Sequence, residues 1–118
     1  MDNNIPREKV NELYDKLIPA AARKGYFLNP DEADARGLVA SLLGAKEKYG
    51  YMSCPCRLAS GDIKKDGDII CPCVYRAPDI AEYGNCFCGL YVSLEVNEGK
   101  KKICSIPERR PKEKQKIF

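Results

Sequence analysis

The chain has 118 residues, a formal net charge of +3, seven cysteines and no histidine. This length allows one domain, whose core is marginal unless a metal or a cross-link supports it. The N-terminus MDNNIPREKV lacks the apolar run of a signal peptide, and no apolar stretch is long enough to span a bilayer. We therefore expect a cytoplasmic protein without membrane attachment, whose cysteines serve metal ligation or redox chemistry.

Two amphipathic helices are predicted in the first half of the chain. Asn4 caps the first helix, Pro19 kinks or divides it, and Gly25 ends it. Asn29 caps the second helix, which stops at Gly50. The apolar positions recur at helical spacing and are predicted to form the core: Val10, Leu13, Tyr14, Leu17, Ala21, Ala22, Leu38, Val39, Leu42 and Leu43.

The second half, from Tyr51 onward, consists of short segments punctuated by cysteine, proline and glycine. Residues 78–83 are predicted to form one helical turn before Gly84 and Asn85 bend the chain. After the last cysteine pair, apolar residues alternate with others, which predicts a short half-buried strand: Leu90, Val92, Leu94 and Val96.

The cysteines form three Cys-x-Cys pairs, two of them Cys-Pro-Cys and one Cys-Phe-Cys. Two cysteines at this spacing bridge each other poorly, because the ring would be small and strained. A four-thiolate site would use four of the six, and it suits either Zn²⁺ or an iron–sulfur cluster. A zinc-binding structural or interaction module with all six cysteines structural is therefore an alternative. A disulfide-stapled secreted domain is a third class, disfavoured by the N-terminus.

Three motifs follow the predicted helices in a fixed order: Cys54-Pro-Cys56-Arg57, Cys71-Pro-Cys73 and Cys86-x-Cys88. In this order they resemble the catalytic subunit of ferredoxin:thioredoxin reductase, over about residues 8–96, with a weaker echo at Ile106-Pro107-Glu108. The resemblance implies a small α-rich metal-bound fold. Its helices would pack around a [4Fe–4S] cluster, with cysteine-bearing loops and at most a short strand.

The resemblance also implies a role for each paired cysteine. Cys56 and Cys88 would form a redox-active disulfide, which takes two electrons although a ferredoxin delivers one at a time. Cys56 would attack the substrate disulfide and Cys88 would resolve the mixed disulfide. The implied partners are ferredoxin as donor, a thioredoxin-like or glutaredoxin-like protein as acceptor, and a small second subunit. The implied cluster ligands are Cys54, Cys71, Cys73 and Cys86.

Three positions near the motifs carry separate predictions. Phe87 stands where the plant-type enzymes have a histidine that assists protonation, so the proton must come from elsewhere. Arg57 is interpreted either as electrostatic support for the thiolate of Cys56 or as an ordinary surface salt bridge. Cys104 lies outside the motifs and is predicted to be a free thiol, with a dimer cross-link as the alternative.

The spacing between the three pairs also differs from the plant-type enzymes, which favours an archaeal or bacterial branch.

The charge is distributed unevenly along the chain. Residues 99–118 contain eight Lys or Arg and two Glu, which gives +6 and leaves −3 on residues 1–98. We predict a single iron–sulfur catalytic domain at 1–98 and a basic C-terminal tail at 99–118. The tail is either solvated or attracts an acidic partner. Nucleic acid is not expected as a partner, because only Phe118 adds an aromatic side chain to the tail.

Overall fold

The computed structural model describes residues 5–115 and shows a helix-rich fold with one small sheet. The two long helices α1 and α2 pack against each other, and the strand between them in sequence pairs with a strand close to the last cysteine pair. The bounds are α1 Arg7–Arg23, β1 Phe27–Leu28, α2 Glu32–Tyr49 and β2 Tyr91–Val92, with β1 and β2 antiparallel. The predicted combination of helices with a minimal strand content is therefore confirmed.

Short helices occupy the rest of the described chain: α3 Ile63–Asp66, α4 Arg76–Tyr83, α5 Leu94–Asn97 and α6 Lys112–Gln115, with a 3₁₀ turn at Gly67–Ile69. The core lies where α1 and α2 face the sheet and the cysteine loops, and its members include Val10, Tyr14, Val39, Leu42, Leu90 and Tyr91. Among residues 5–115, no helix has both the length and the apolar character needed to cross a membrane.

Helix α1 is continuous through Pro19. It begins after Pro6 and continues through Pro19 to Arg23, so the predicted division at Pro19 is wrong. The chain leaves the helix at Gly25, whose φ of +82° suits glycine because it has no Cβ. The predicted cap Asn4 lies outside the described residues.

The cap of α2 also differs from the prediction. Asp31, not Asn29, is the capping residue, and its Oδ1 accepts a hydrogen bond from the N–H of Asp34 at 3.1 Å. Asn29 supports this turn from outside, because its Nδ2 donates to Oδ2 of Asp34 at 2.8 Å. The predicted stop at Gly50 is confirmed: its φ is +88° and its N–H donates to the carbonyl of Lys46.

The predicted strand after the last cysteine pair is correct only at its start. Tyr91 and Val92 pair with β1, but Ser93 ends the strand, because its Oγ accepts a hydrogen bond from the N–H of Val96 at 3.3 Å and caps α5. Leu94 is consequently exposed, whereas Val96 is buried as the alternation predicted. The partner strand has only two residues, so the ladder cannot extend further.

The segment 103–110, here called the C-terminal strap, packs across the cysteine loops. Ile103 lies beside Gly89, and Ile106 is buried. Arg109 pairs with the fully buried Asp79 of α4 at 2.8 Å. Part of the predicted basic tail therefore belongs to the packed structure, while the domain boundary at residue 98 stays a prediction.

Candidate functional site

Short backbone pairings place the first two Cys-Pro-Cys motifs side by side. The N–H of Cys54 donates to the carbonyl of Ile69 at 2.8 Å, and the N–H of Cys71 donates to the carbonyl of Met52 at 2.8 Å. Each motif thus begins at one of two adjacent extended segments. As a result, the sulfurs of Cys54, Cys71 and Cys73 line one cavity.

The third pair is held in a tight turn that leads into β2. The N–H of Cys86 donates to the carbonyl of Tyr91 at 3.0 Å, and the N–H of Gly89 donates to the carbonyl of Cys86 at 3.0 Å. Gly89 has a φ of +83°, which a residue with a side chain adopts only at a cost. This turn brings Cys88 back toward Cys86, with their sulfurs 3.8 Å apart.

Five of the six paired cysteines line one small cavity. The structure describes all six, and only Cys56 lies outside the lining, where it is exposed. Cys54 and Cys86 are each 4% exposed, whereas Cys71, Cys73 and Cys88 are partly buried. All four predicted cluster ligands are in the lining, which is completed by Cys88: Cys54, Cys71, Cys73, Cys86 and Cys88.

The donor set and its arrangement bear on which group the cavity could hold. A single tetrahedral Zn²⁺ needs thiolate sulfurs about 2.3 Å from one point. Among residues 5–115, no three Cys, Asp or Glu side chains form a group that could hold a single metal ion. The thiols instead surround a common volume. Several thiols in one lining fit a cluster with several metal atoms, which proteins bind through cysteine thiolates.

The thiols of Cys54, Cys86 and Cys88 have pKa values that are shifted in opposite directions. Hydrogen bonds with Cys88, stronger in effect than burial, lower the pKa of Cys54 to about 7 and that of Cys86 to about 6. The same two hydrogen bonds raise the pKa of Cys88 well above its ordinary value. The N–H of Tyr91 also donates to the sulfur of Cys86 at 3.3 Å. Both thiols therefore lose their proton more readily than an ordinary cysteine, and the thiolate is the form of a metal ligand.

The two thiols of the second motif, Cys71 and Cys73, have raised pKa values. Burial raises the pKa of Cys71 to about 12, and it also raises the pKa of Cys73. At Cys73 the guanidinium of Arg57 opposes this effect, since its Nη1 lies 3.5 Å from Sγ. Ligation by a metal would favour the deprotonated form of both thiols.

Cys56 has surroundings different from those of the other paired cysteines. Burial of part of its side chain raises its pKa, the nearby sulfurs of Cys54 and Cys86 raise it further, and Arg57 opposes them. Its predicted disulfide partner Cys88 lines the cavity, and every cysteine of the chain is free in this structure. The Cys56–Cys88 disulfide therefore stays a prediction.

Arg57 is a buried residue, so its interpretation as an ordinary surface salt bridge is wrong. Its side chain is 2% exposed and binds Glu108 of the strap through two hydrogen bonds of 2.7 Å. The guanidinium also lies over the rings of Phe87 and Tyr75, at 4.5 and 5.1 Å from the centroids. Its contact with sulfur is to Cys73, although its charge also lowers the pKa of Cys56.

Sequence reasoning missed two residues that shape the cavity. Tyr91 lines it and is 3% exposed, although the strand prediction put this side chain on the more exposed face. Arg76 also lines it and stacks on Tyr91, with the guanidinium carbon 4.6 Å from the ring centroid. The only sequence signal was the position of both residues a few places beyond a cysteine pair.

These observations define a class of protein: a small helical thiol protein in which five of the six paired cysteines line one cavity and the sixth, Cys56, is exposed. The family model described as ferredoxin thioredoxin reductase catalytic beta chain matches residues 4–114, almost the whole chain. The chain belongs to this family and is an oxidoreductase that acts on disulfides. No curated protein matches the chain significantly.

Proposed function

We propose that this chain is a ferredoxin-dependent disulfide reductase, which uses a [4Fe–4S] cluster beside a Cys56–Cys88 disulfide to reduce a thioredoxin-like protein in two one-electron steps. The observation that carries the proposal is the separation of the cysteines: Cys56 is exposed, while the five others line one cavity. Family membership supports the reaction type.

The cavity supplies the ligands for the cluster in this proposal. Cys54 and Cys86 are buried and have lowered pKa values, and Cys71 and Cys73 complete the set from the second Cys-Pro-Cys motif. When bound, such a cluster accepts and donates single electrons, which a dithiol cannot do at a useful potential by itself. The chain contributes hydrogen bonds to the sulfurs, from Arg57 to Cys73 and from the N–H of Tyr91 to Cys86.

Cys56 and Cys88 carry out the exchange chemistry. The thiolate of Cys56 attacks the substrate disulfide, so one S–S bond breaks, a mixed disulfide forms, and one substrate thiolate leaves. Cys88 then attacks the sulfur of Cys56, which releases the second substrate thiolate and forms the Cys56–Cys88 disulfide. Two electrons from the donor and two protons restore both thiols. The exposure of Cys56 suits the attacking role, and the position of Cys88 in the cavity suits the resolving role.

The proton needed at this site does not come from the residue between Cys86 and Cys88. Phe87 has no titratable group, and its ring packs against Arg57 at 4.5 Å. Hydrogen bonds with Cys54 and Cys86 raise the pKa of Cys88 well above its ordinary value. In our proposal Cys88 therefore returns to the protonated form with a proton from solvent.

The exposed lysines before the strap support an acidic electron donor. Lys100, Lys101 and Lys102 are all exposed, and Lys101 crosses over Gly84 close to the third cysteine pair. Positive charge near a site attracts an acidic protein and raises its association rate at low ionic strength. We include ferredoxin as the donor and a thioredoxin-like or glutaredoxin-like protein as the acceptor in this proposal.

The test is a reduction assay under anaerobic conditions. Chemically reduced ferredoxin, the chain and a panel of oxidised thioredoxins and glutaredoxins are mixed, and acceptor thiols are counted over time. We expect thiols to form on at least one acceptor in the presence of the chain and not with the Cys56→Ser variant. Equal rates with and without the chain would contradict the proposal. A second series with a small partner subunit tests whether one is required.

A further inference from the structure

Arg57 connects the C-terminal strap to a sulfur of the cavity. Its Nη1 donates to Sγ of Cys73 at 3.5 Å, while its Nε and Nη2 donate to the two carboxylate oxygens of Glu108 at 2.7 Å each. Residue 108 is 51 positions further along the chain. A residue remote in sequence thus reaches the cysteine site through one guanidinium.

The position of this guanidinium is fixed on several sides. The two parallel hydrogen bonds to Glu108 set its plane, as is usual for arginine and a carboxylate. The rings of Phe87 and Tyr75 contact it at 4.5 and 5.1 Å, and only 2% of its side chain is exposed. Water screens a charge at such a position weakly, so its effect on a neighbouring sulfur is strong.

We propose that Arg57 and Glu108 form a charge pair that sets the reduction potential of the group bound by Cys73. This inference rests on the proposed function, because it needs a cluster ligated by Cys73. Adding an electron to the group adds negative charge, which the guanidinium stabilises through Sγ, and hydrogen bonds to ligand sulfurs are known determinants of cluster potentials. Glu108 has the opposite effect, since its carboxylate offsets the positive charge of Arg57.

The pair gives the C-terminal strap a role in electron transfer. With Glu108 in place, the stabilisation by Arg57 is partly cancelled. A partner that draws the strap or Glu108 away from Arg57 leaves the positive charge uncompensated, so the group becomes easier to reduce. Glu108 is 22% exposed, so it is within reach of a docked protein, whereas Arg57 is not.

The test is redox titration of the purified holoprotein, with the cluster followed by its absorbance and by electron paramagnetic resonance. Arg57→Gln is expected to shift the midpoint potential to a more negative value, and Glu108→Gln to a more positive value. Arg57→Lys keeps the positive charge but cannot make the two parallel hydrogen bonds to Glu108. The midpoint potential of this variant should therefore lie between those of the wild type and Arg57→Gln.

The opposite signs separate this electrostatic role from a structural one. If the pair only closed the site, both substitutions would loosen it and shift the potential in the same direction, which would overturn the inference. Unchanged potentials in all three variants would overturn it as well. Where Arg57→Gln loses the cluster, the signs for Glu108→Gln and Arg57→Lys decide the outcome.

Matched controls come from the exposed ion pair on α1. Lys16→Gln and Glu12→Gln make the same two charge changes at side chains that are 71% and 68% exposed, and they should leave the potential unchanged. Iron and sulfide analysis of the wild type distinguishes failure of the proposed function from failure of this inference. A wild type without a cluster rejects the proposed function, whereas a wild type with a cluster and unresponsive variants rejects this inference alone.

Discussion

Cys54 and Cys56 are separated by a single proline, yet they belong to different environments. Cys54 is 4% exposed and lines the cavity, whereas Cys56 is exposed and lies outside its lining. One Cys-Pro-Cys motif therefore supplies one sulfur to the interior and one to the surface. This division is the structural basis for assigning a ligand role to the first cysteine and an exchange role to the second.

Serine substitution at the exposed cysteine should separate cluster binding from catalysis. Cys56→Ser removes the attacking sulfur but no cavity sulfur, so we expect normal iron content. Acceptor reduction should fall by roughly 10⁴-fold or more, because the nucleophile is missing. Iron analysis and the anaerobic thiol assay measure the two quantities on the same sample.

Cys54→Ser is the matched control for that experiment, with the same atom replaced two residues away. It should lose most of the iron, because a buried cavity sulfur is removed. If Cys56→Ser lost the cluster and Cys54→Ser kept it, the two roles would have to be exchanged.

The buried ion pair between the strap and the 3₁₀ turn should contribute strongly to stability. Arg110 binds Asp68 through two hydrogen bonds of 2.8 and 3.1 Å, and the side chains are 4% and 10% exposed. Arg110→Ala leaves the carboxylate of Asp68 buried without its partner, which costs about 3–5 kcal/mol. We expect a large fall in the urea midpoint. Lys16→Ala on α1 is the control and should leave the urea midpoint unchanged. A similar midpoint for both variants would show that this ion pair of the strap adds no stability.

Asp66 should make stability depend on pH on the acid side. Burial by itself would raise the pKa of this carboxyl, but hydrogen bonds from Tyr51, Ser60 and Gly61 outweigh it and lower the pKa below the ordinary value. Its stabilising contribution is therefore complete above about pH 4, the unfolded value, and is lost as the pH falls through the lower folded value. The difference in urea midpoint between the wild type and Asp66→Asn should be largest at pH 7 and should shrink toward pH 3. A difference that stays constant would contradict this assignment.

Asn85 should anchor the strap to the third cysteine pair. It is fully buried, its Nδ2 donates to the carbonyls of Cys86 and Cys104 at 2.9 and 3.1 Å, and its Oδ1 accepts from the N–H of Cys104 at 3.2 Å. Asn85→Ala leaves these backbone groups without a partner, at about 1–3 kcal/mol, and should lower the urea midpoint. Cys104→Ser keeps the backbone bonds and should behave as wild type in stability, iron content and turnover. A loss of turnover in Cys104→Ser would mean that this exposed thiol takes part in the reaction.

The sequence predicted the parts of the fold that local chemistry determines. The stop of α2 at Gly50 and the bend at Gly84 follow from the need for a positive φ, and both are present at +88° and +93°. The cap of α2 was misplaced because Asn29, Pro30 and Asp31 all fit a helix start, and only the hydrogen bond to Asp34 distinguishes them. Pro19 does not divide α1, because packing of α1 against α2 outweighs the loss of one backbone hydrogen bond.

Long-range contacts account for most of what was missed at the site. The charges of Glu108 and Arg110 suggested a solvated tail, because no local pattern shows that Arg57 and Asp68 receive them from 51 and 42 residues away. Tyr91 was assigned to the wrong face for a similar reason. The alternation after Cys88 is that of a strand, but the turn at Gly89 and the contact with Arg76 bury the opposite side chain as well.

The central claim is that the cavity sulfurs bind an iron–sulfur cluster next to the exposed Cys56. The most direct measurement is the iron and acid-labile sulfide content of anaerobically purified protein, with the chain quantified by amino-acid analysis. The account predicts about four iron and about four sulfide per chain, with broad visible absorbance. Colourless protein that contains tightly bound zinc and no acid-labile sulfide would contradict it.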